Sequence, residues 1–276
     1  LKFPRFVLPF GNYDFKRNMH ANTELTADLS YQDRPSEFKA TRLSGGVNYI
    51  WNRTKYRHSF ELFNLSFMDF NVLPEFEDRY FNTGLYNKDN YESRFVLRMG
   101  YNGSFSNYNA NRPLRNYSTF RYSFESAGNL VYGLNHLLNS KVSTEGNYEL
   151  FKVRYSQYLR AEYNSTHYQI FDKNNRFVYH IGAGVGVPYG NANIMPYERR
   201  FYSGGANSVR GWRESMLGPG VYQRNNERIR DYNQVGDIKL DLNMEYRTKM
   251  FWVLEGALFL DAGNIWTIKE YEEQGG

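Results

Sequence analysis

Residues 236–247, GDIKLDLNMEYR, alternate without a break. Ile238, Leu240, Leu242, Met244 and Tyr246 share one parity, and Lys239, Asp241, Asn243, Glu245 and Arg247 take the other. A β-strand sends those two sets to opposite faces. The pattern recurs with Leu25, Ala27, Leu29 and Tyr31, with Leu43, Val47, Tyr49 and Trp51, and with Phe95, Leu97, Met99, Tyr101 and Phe105. It continues through Phe120, Tyr122, Phe124, Leu130, Tyr132 and Leu134, then Phe151, Val153, Tyr155, Leu159, Ala161 and Tyr163, and then Phe177 to Tyr189. With 2–10, 58–72 and 252–262 this predicts about ten strands, most of them long enough to cross a bilayer when tilted. Helical periodicity is nearly absent.

Two architectures use such strands. A sandwich turns the apolar face into a core, and a membrane barrel turns it to lipid around a wet lumen. Strands of this length exceed the roughly 5–6 residues usual in sandwiches. Their polar faces carry charges of both signs, such as Lys152, Arg154, Arg160 and Glu162, and aromatics gather towards strand ends at Tyr49, Trp51, Tyr163, Tyr189 and Trp266. The expected class is therefore all-β, a transmembrane antiparallel β-barrel. Short linkers at 52–57, 109–117 and 172–176 alternate with longer ones at 73–92, 139–147 and 190–236, the asymmetry of periplasmic turns and outer loops. The linkers at 33–37 and 11–21 break that alternation. Residues 76–85 read as a plain loop, although their acidic start would also suit a short helix.

Composition adds constraints. The 276 residues are rich in Tyr (25) and Phe (21), contain no Cys, and have a mean hydropathy of −0.71, which strict alternation makes misleading. No apolar run reaches the length of a membrane helix, and the first residues lack the organisation of a signal peptide. The segment reads as part of one barrel domain cut from a longer chain, with periplasmic domains and outermost strands lying outside it. The net charge of +5 is dispersed among acids, which argues against nucleic acid. The five histidines lie in unrelated segments without metal-ligand spacing, and Ser203 and Ser208 lack the setting of a nucleophile elbow. GAGVG at 182–186 lies within a strand pattern, so it is no dinucleotide fingerprint. No cofactor and no enzymatic chemistry are expected.

The longest connection contains FYSGGANSVRGW, 201–212, followed by LGPG, and is too long and too apolar to be idle. The strand leading into it places Gly182, Gly184 and Gly186 on the inner parity, where missing side chains leave a trough.

Val209, Arg210, Gly211 and Trp212 in that loop, and Phe259-Leu260-Asp261-Ala262-Gly263 on a later strand, carry a resemblance. The sequence resembles the outer-membrane insertase and transporter superfamily of BamA, TamA and the secretion pore FhaC, and looks most like the TamA-like (TamL) branch of Bacteroidota. The resemblance implies a segment of a 16-stranded barrel with a loop folded into the lumen. It also implies that Arg210 pairs with Asp261 on the inner wall. Glu255 shares that inward parity and is a second candidate partner. A guanidinium away from bulk water needs such a carboxylate. Gly204, Gly205 and Gly211 would permit positive φ and close packing, Gly263 is the glycine of the second motif, and Trp212 stands where the family more often has Tyr or Phe. The implied function is assembly or translocation of outer-membrane proteins, with client strands templated at a weak seam. A two-partner secretion pore and a passive porin are the alternatives. The implied partners are outer-membrane lipid, unfolded client proteins and accessory proteins of the periplasm or inner membrane.

Overall fold

The computed structural model describes residues 1–8, 12–78, 91–137, 148–150, 153–221 and 234–269. In chain order the strands are β1 (Lys2–Phe3), β2 (Asn22–Arg34), β3 (Phe38–Asn52), β4 (Tyr56–Val72), β5 (Arg94–Ser106) and β6 (Tyr117–Ala127). A small hairpin, β7 (Glu149–Leu150) and β8 (Val153–Arg154), precedes β9 (Tyr158–Ile170), β10 (Asn175–Pro188), β11 (Ile238–Lys249) and β12 (Glu255–Trp266). Three helices are short: α1 (Tyr13–Asn18), α2 (Pro74–Phe76) and α3 (Asn129–Leu137).

All strands but the β7–β8 hairpin form one ten-stranded antiparallel sheet in the order β1-β2-β3-β4-β5-β6-β9-β10-β11-β12. It does not close on itself among the described residues. Register carries the alternation across neighbours. Phe124, Ala161, Val185, Ile238 and Trp266 form one cross-strand rung on the outer face, and Gly182, Asp241 and Gly263 lie on an inner one. Leu29, Leu242, Leu258 and Leu260 stand exposed on the outer face, where a soluble protein would cover them. Residues 53–55 and 107–116 share one rim with α1, whereas 35–37 and the long connections share the other.

Several expectations need correction. Leu130, Tyr132 and Leu134 belong to α3. Gly128, at φ +75°, turns the chain out of the sheet, and a Cβ there would strike the Ser156 carbonyl. Val131 then packs on Phe95 and Tyr155. A short apolar run fits either period, and packing decided. Val153 and Arg154 stand off the main sheet, so Arg154 lines no wall and donates to the Asn191 carbonyl at 2.9 Å. Phe151 and Lys152 lie outside the described residues, as do 79–85 of the 76–85 segment. Of the proposed girdle, Tyr49 is buried beneath Phe6, with ring centroids 4.5 Å apart, and donates to the Val7 carbonyl. The strand expected at 252–262 begins at Glu255 and runs to Trp266.

The two faces give a test. Leu242→Arg on the outer face should destabilise the inserted barrel by about 2–4 kcal/mol, the cost of a cation at mid-bilayer depth. Asn102→Arg, into an open inner cavity of about 480 Å³, should change it by less than about 0.5 kcal/mol. Urea titration in lipid vesicles, followed by heat-modifiable gel migration, reads both.

Candidate functional site

The described parts of the 189–237 connection, 189–221 and 234–237, lie along the inner face. Its entry is held by packing against absent side chains. A Cβ on Gly184 would collide with the Phe201 ring, and one on Gly186 with the Met195 thioether. Two of the three trough glycines therefore admit loop side chains. Gly182 instead sits beside Asn164, His180 and Asp241 of the wall. Phe201 pairs its backbone with Gly236 in both directions at 2.8 Å, and the Arg160 guanidinium covers its ring at 4.2 Å.

Beyond Phe201 the chain makes a compact turn. Gly204 (φ +102°) and Gly205 (φ +89°) occupy backbone conformations that L side chains rarely adopt, and Gly205 N–H donates to the Trp212 carbonyl at 2.9 Å. The turn sets Ser203 and Ser208 over Asp241, each hydroxyl donating to a different carboxylate oxygen at 2.7 Å. Asp241 is 2% exposed, and Lys239 balances it at 2.9 Å. Val209 fills the space left by Gly263, where a Cβ would lie 3.0 Å from its methyl group.

Arg210 then meets the wall on three sides. Its Nε and one terminal nitrogen donate to the two oxygens of Asp261, each at 2.7 Å, in a bidentate fork. The other terminal nitrogen donates to Glu245 at 2.6 Å. Its backbone N–H also reaches Asp261, at 3.1 Å, and its guanidinium carbon lies 3.7 Å over the Phe259 ring. Asn243 ties the arrangement together, donating to the Ser208 carbonyl at 2.6 Å and to Asp261 at 2.9 Å. The bonds to Asp261, then those to Glu245, raise the arginine pKa above its ordinary value, so it stays charged throughout the working range.

Glu255 is not the second partner. It pairs with Arg176 at 3.5 Å near the opposite rim, six residues or about 20 Å of strand from Asp261. Glu245 takes the role because the β11–β12 register sets it opposite Phe259, one inner position from Asp261. Gly211 is also corrected: it has no positive φ, and a Cβ there would meet open space. Trp212 remains 44% exposed, and among the described residues of the loop the buried aromatic is Phe201.

A second anchorage lies across the face, on β5, β6 and β9. The short 3-10 turn Tyr197–Arg199 presents Glu198 to Arg94 at 3.1 Å and Arg199 to Glu125 at 3.5 Å. Glu125 also faces Arg98 and Arg160 at 3.8 and 3.9 Å, and Arg160 donates to the Arg199 carbonyl. Arg200 and Asp237, both essentially buried, pair at 3.2 Å. The sequence signalled the wall half of this network through the inner parity of Arg98, Glu125 and Arg160. Nothing in local spacing could link them to residues 198–200.

Removing one member of a buried pair costs about 3–5 kcal/mol because the other is left unpaired. Arg210→Ala should therefore free the 203–212 turn, seen as lost amide exchange protection at Gly205 and new protease cleavage there. Gly184→Leu should give the same readout through Phe201 without altering any charge.

The chain matches the Omp85 superfamily domain over residues 5–275. It is 32% identical over 124 residues to the outer membrane protein assembly factor BamA of Neisseria meningitidis, covering 42% of this chain and 15% of that protein. Its fold is similar to that of Haemophilus ducreyi BamA lacking POTRA domains 1–3, with a TM-score of 0.60, 12% identity, and 96% of this chain and 48% of that one covered. CdiB from Escherichia coli aligns with a TM-score of 0.48 at 11% identity over 93% of this chain and 41% of its own. The chain thus spans 15% of its curated relative and about half of the solved BamA. An exposed apolar outer face, a charged inner one and a family match over almost its whole length make this chain a bacterial outer-membrane β-barrel protein of the Omp85 superfamily.

Proposed function

We propose that the protein is an outer-membrane assembly or translocation factor of the TamA-like kind, in which residues 190–236 form a lumen plug anchored by Val209-Arg210-Gly211-Trp212. The observation that carries this reading is the Arg210 fork on Asp261 and Glu245. A segment pinned across the inner wall narrows an open channel, and it gives an insertase a stiff wall around a barrel whose seam is weak. Gly204, Gly205 and Gly263 let the anchor approach, and Gly184 and Gly186 let the plug lie flat. Strand templating would take place at the seam of the complete barrel. Unpaired backbone donors and acceptors at such a seam can pair with an incoming client strand. The complete barrel would hold 16 strands. The free energy would come from client folding, and the clients would be unfolded outer-membrane or secreted proteins.

The test is the folding rate of a client barrel in vesicles containing the full-length protein. Arg210→Glu should slow it at least tenfold, and adding Asp261→Arg should restore part of the loss. Losses that simply add in the double variant would remove the anchor from the function. Large, steady single-channel conductance with no effect on client folding would make the protein a porin instead.

A further inference from the structure

The rim that carries the shorter turns is built differently from the other. The β3–β4 turn and the first residues of β4 hold Arg53, Lys55 and Arg57 without an acid, and the β5–β6 turn holds Arg112 and Arg115 without an acid. At the far end of β4, residues 73–78 hold Glu75, Glu77 and Asp78 without a base. The two basic turns lie side by side, because Ser106 N–H donates to the Lys55 carbonyl at 2.9 Å. An open cavity of about 840 Å³ lies between them, with Lys55, Arg112, Arg115, Tyr108 and Tyr117 in its walls. Among the described residues no carboxylate pairs with any of those three cations.

The frame is rigid. Asn107 accepts from Ser118 N–H at 2.6 Å, Asn109 from Asn111 N–H at 2.9 Å, and Asn116 from Ile170 N–H at 2.8 Å, the last fastening the turn to its next neighbour. Behind the cations runs a belt of rings. On the outer face Tyr56 lies against Phe105 at 4.8 Å and Phe105 against Phe120 at 5.6 Å, whereas Tyr117 and Tyr168, stacked at 4.2 Å, take the inner parity, with Tyr108 4.9 Å from Tyr117. Tyr56, Tyr108 and Leu114 stay about half exposed beside them. Unpaired cations ranged along an aromatic belt, at the edge of an apolar wall, match a molecule with an anionic head and an oily tail. An acidic polypeptide would use the cations and leave the rings and Leu114 in water.

We propose that this rim seats anionic phospholipid headgroups, with the cavity between the 52–57 and 107–117 turns as the principal site and Lys55, Arg112 and Arg115 as its phosphate ligands. The proposal rests on the membrane-spanning reading of the sheet. Bound lipid would fix the depth of the rim in its leaflet. It would do so on β3 to β6, away from the plug anchors on β11 and β12.

The experiment measures binding of a short-chain, soluble phosphatidylglycerol to the full-length protein in neutral detergent, with phosphatidylcholine of equal chain length and inorganic phosphate as comparison probes. Phosphatidylglycerol should bind best, more weakly as salt rises. The triple variant Lys55→Gln, Arg112→Gln, Arg115→Gln should lose on the order of a hundredfold in affinity, from roughly fivefold per cation at a membrane surface. Arg34→Gln with Lys39→Gln, on the other rim, should lose none. Equal binding of the two lipids, equal binding of free phosphate, or an unchanged triple variant would each overturn the proposal. Insertion into pure phosphatidylcholine vesicles is scored separately. Wild-type protein that fails there would indict the barrel reading, whereas a triple variant that inserts normally shows its lost affinity is not misfolding.

Discussion

A strand can present only two faces, and here one of them is oily at almost every position. The rest of the structure follows from that constraint. Backbone groups are satisfied by the antiparallel ladder, so the outer face can carry Leu242, Leu258 and Leu260 into a solvent with no hydrogen bonds to offer. Along β11 charge is confined to the inner face, where Lys239, Asp241 and Glu245 share one parity with the polar Asn243. Any segment that covers this inner face must bring matching charge, because a polar wall buried without partners costs more than it gains.

The long connection meets that demand at two places. Near β11 and β12 it supplies Arg210 and two serine hydroxyls to three carboxylates. Near β5, β6 and β9 it supplies Glu198 and Arg199 to a cluster containing Arg94, Arg98, Glu125 and Arg160. Between them, bare glycines on β10 receive Phe201 and Met195. A segment held at two places and seated between them ties together strands that are distant in sequence.

Much of the fold was legible because alternation survives any tertiary detail. The parity of 238–247 gave β11 and its two faces directly, and the glycines at 184 and 186 marked where a neighbour would approach. Legibility failed where a run was short. Leu130, Tyr132 and Leu134 suit a strand or a helix equally, and the choice was made by Val131 finding Phe95 and Tyr155. Tyr49 looked like a girdle residue until residues 6 and 7 folded over it.

The sequence alone determined which side chains could share a face, since a period of two is a property of the chain itself. It offered Arg210 and Asp261 through their motifs and left Glu245 among several inner acids. Only the tertiary structure decided which inner acids stand side by side. Register between β11 and β12 sets Glu245 one inner position from Asp261 and leaves Glu255 about 20 Å away. Pairing register depends on contacts between strands, and local spacing along either one carries no record of it.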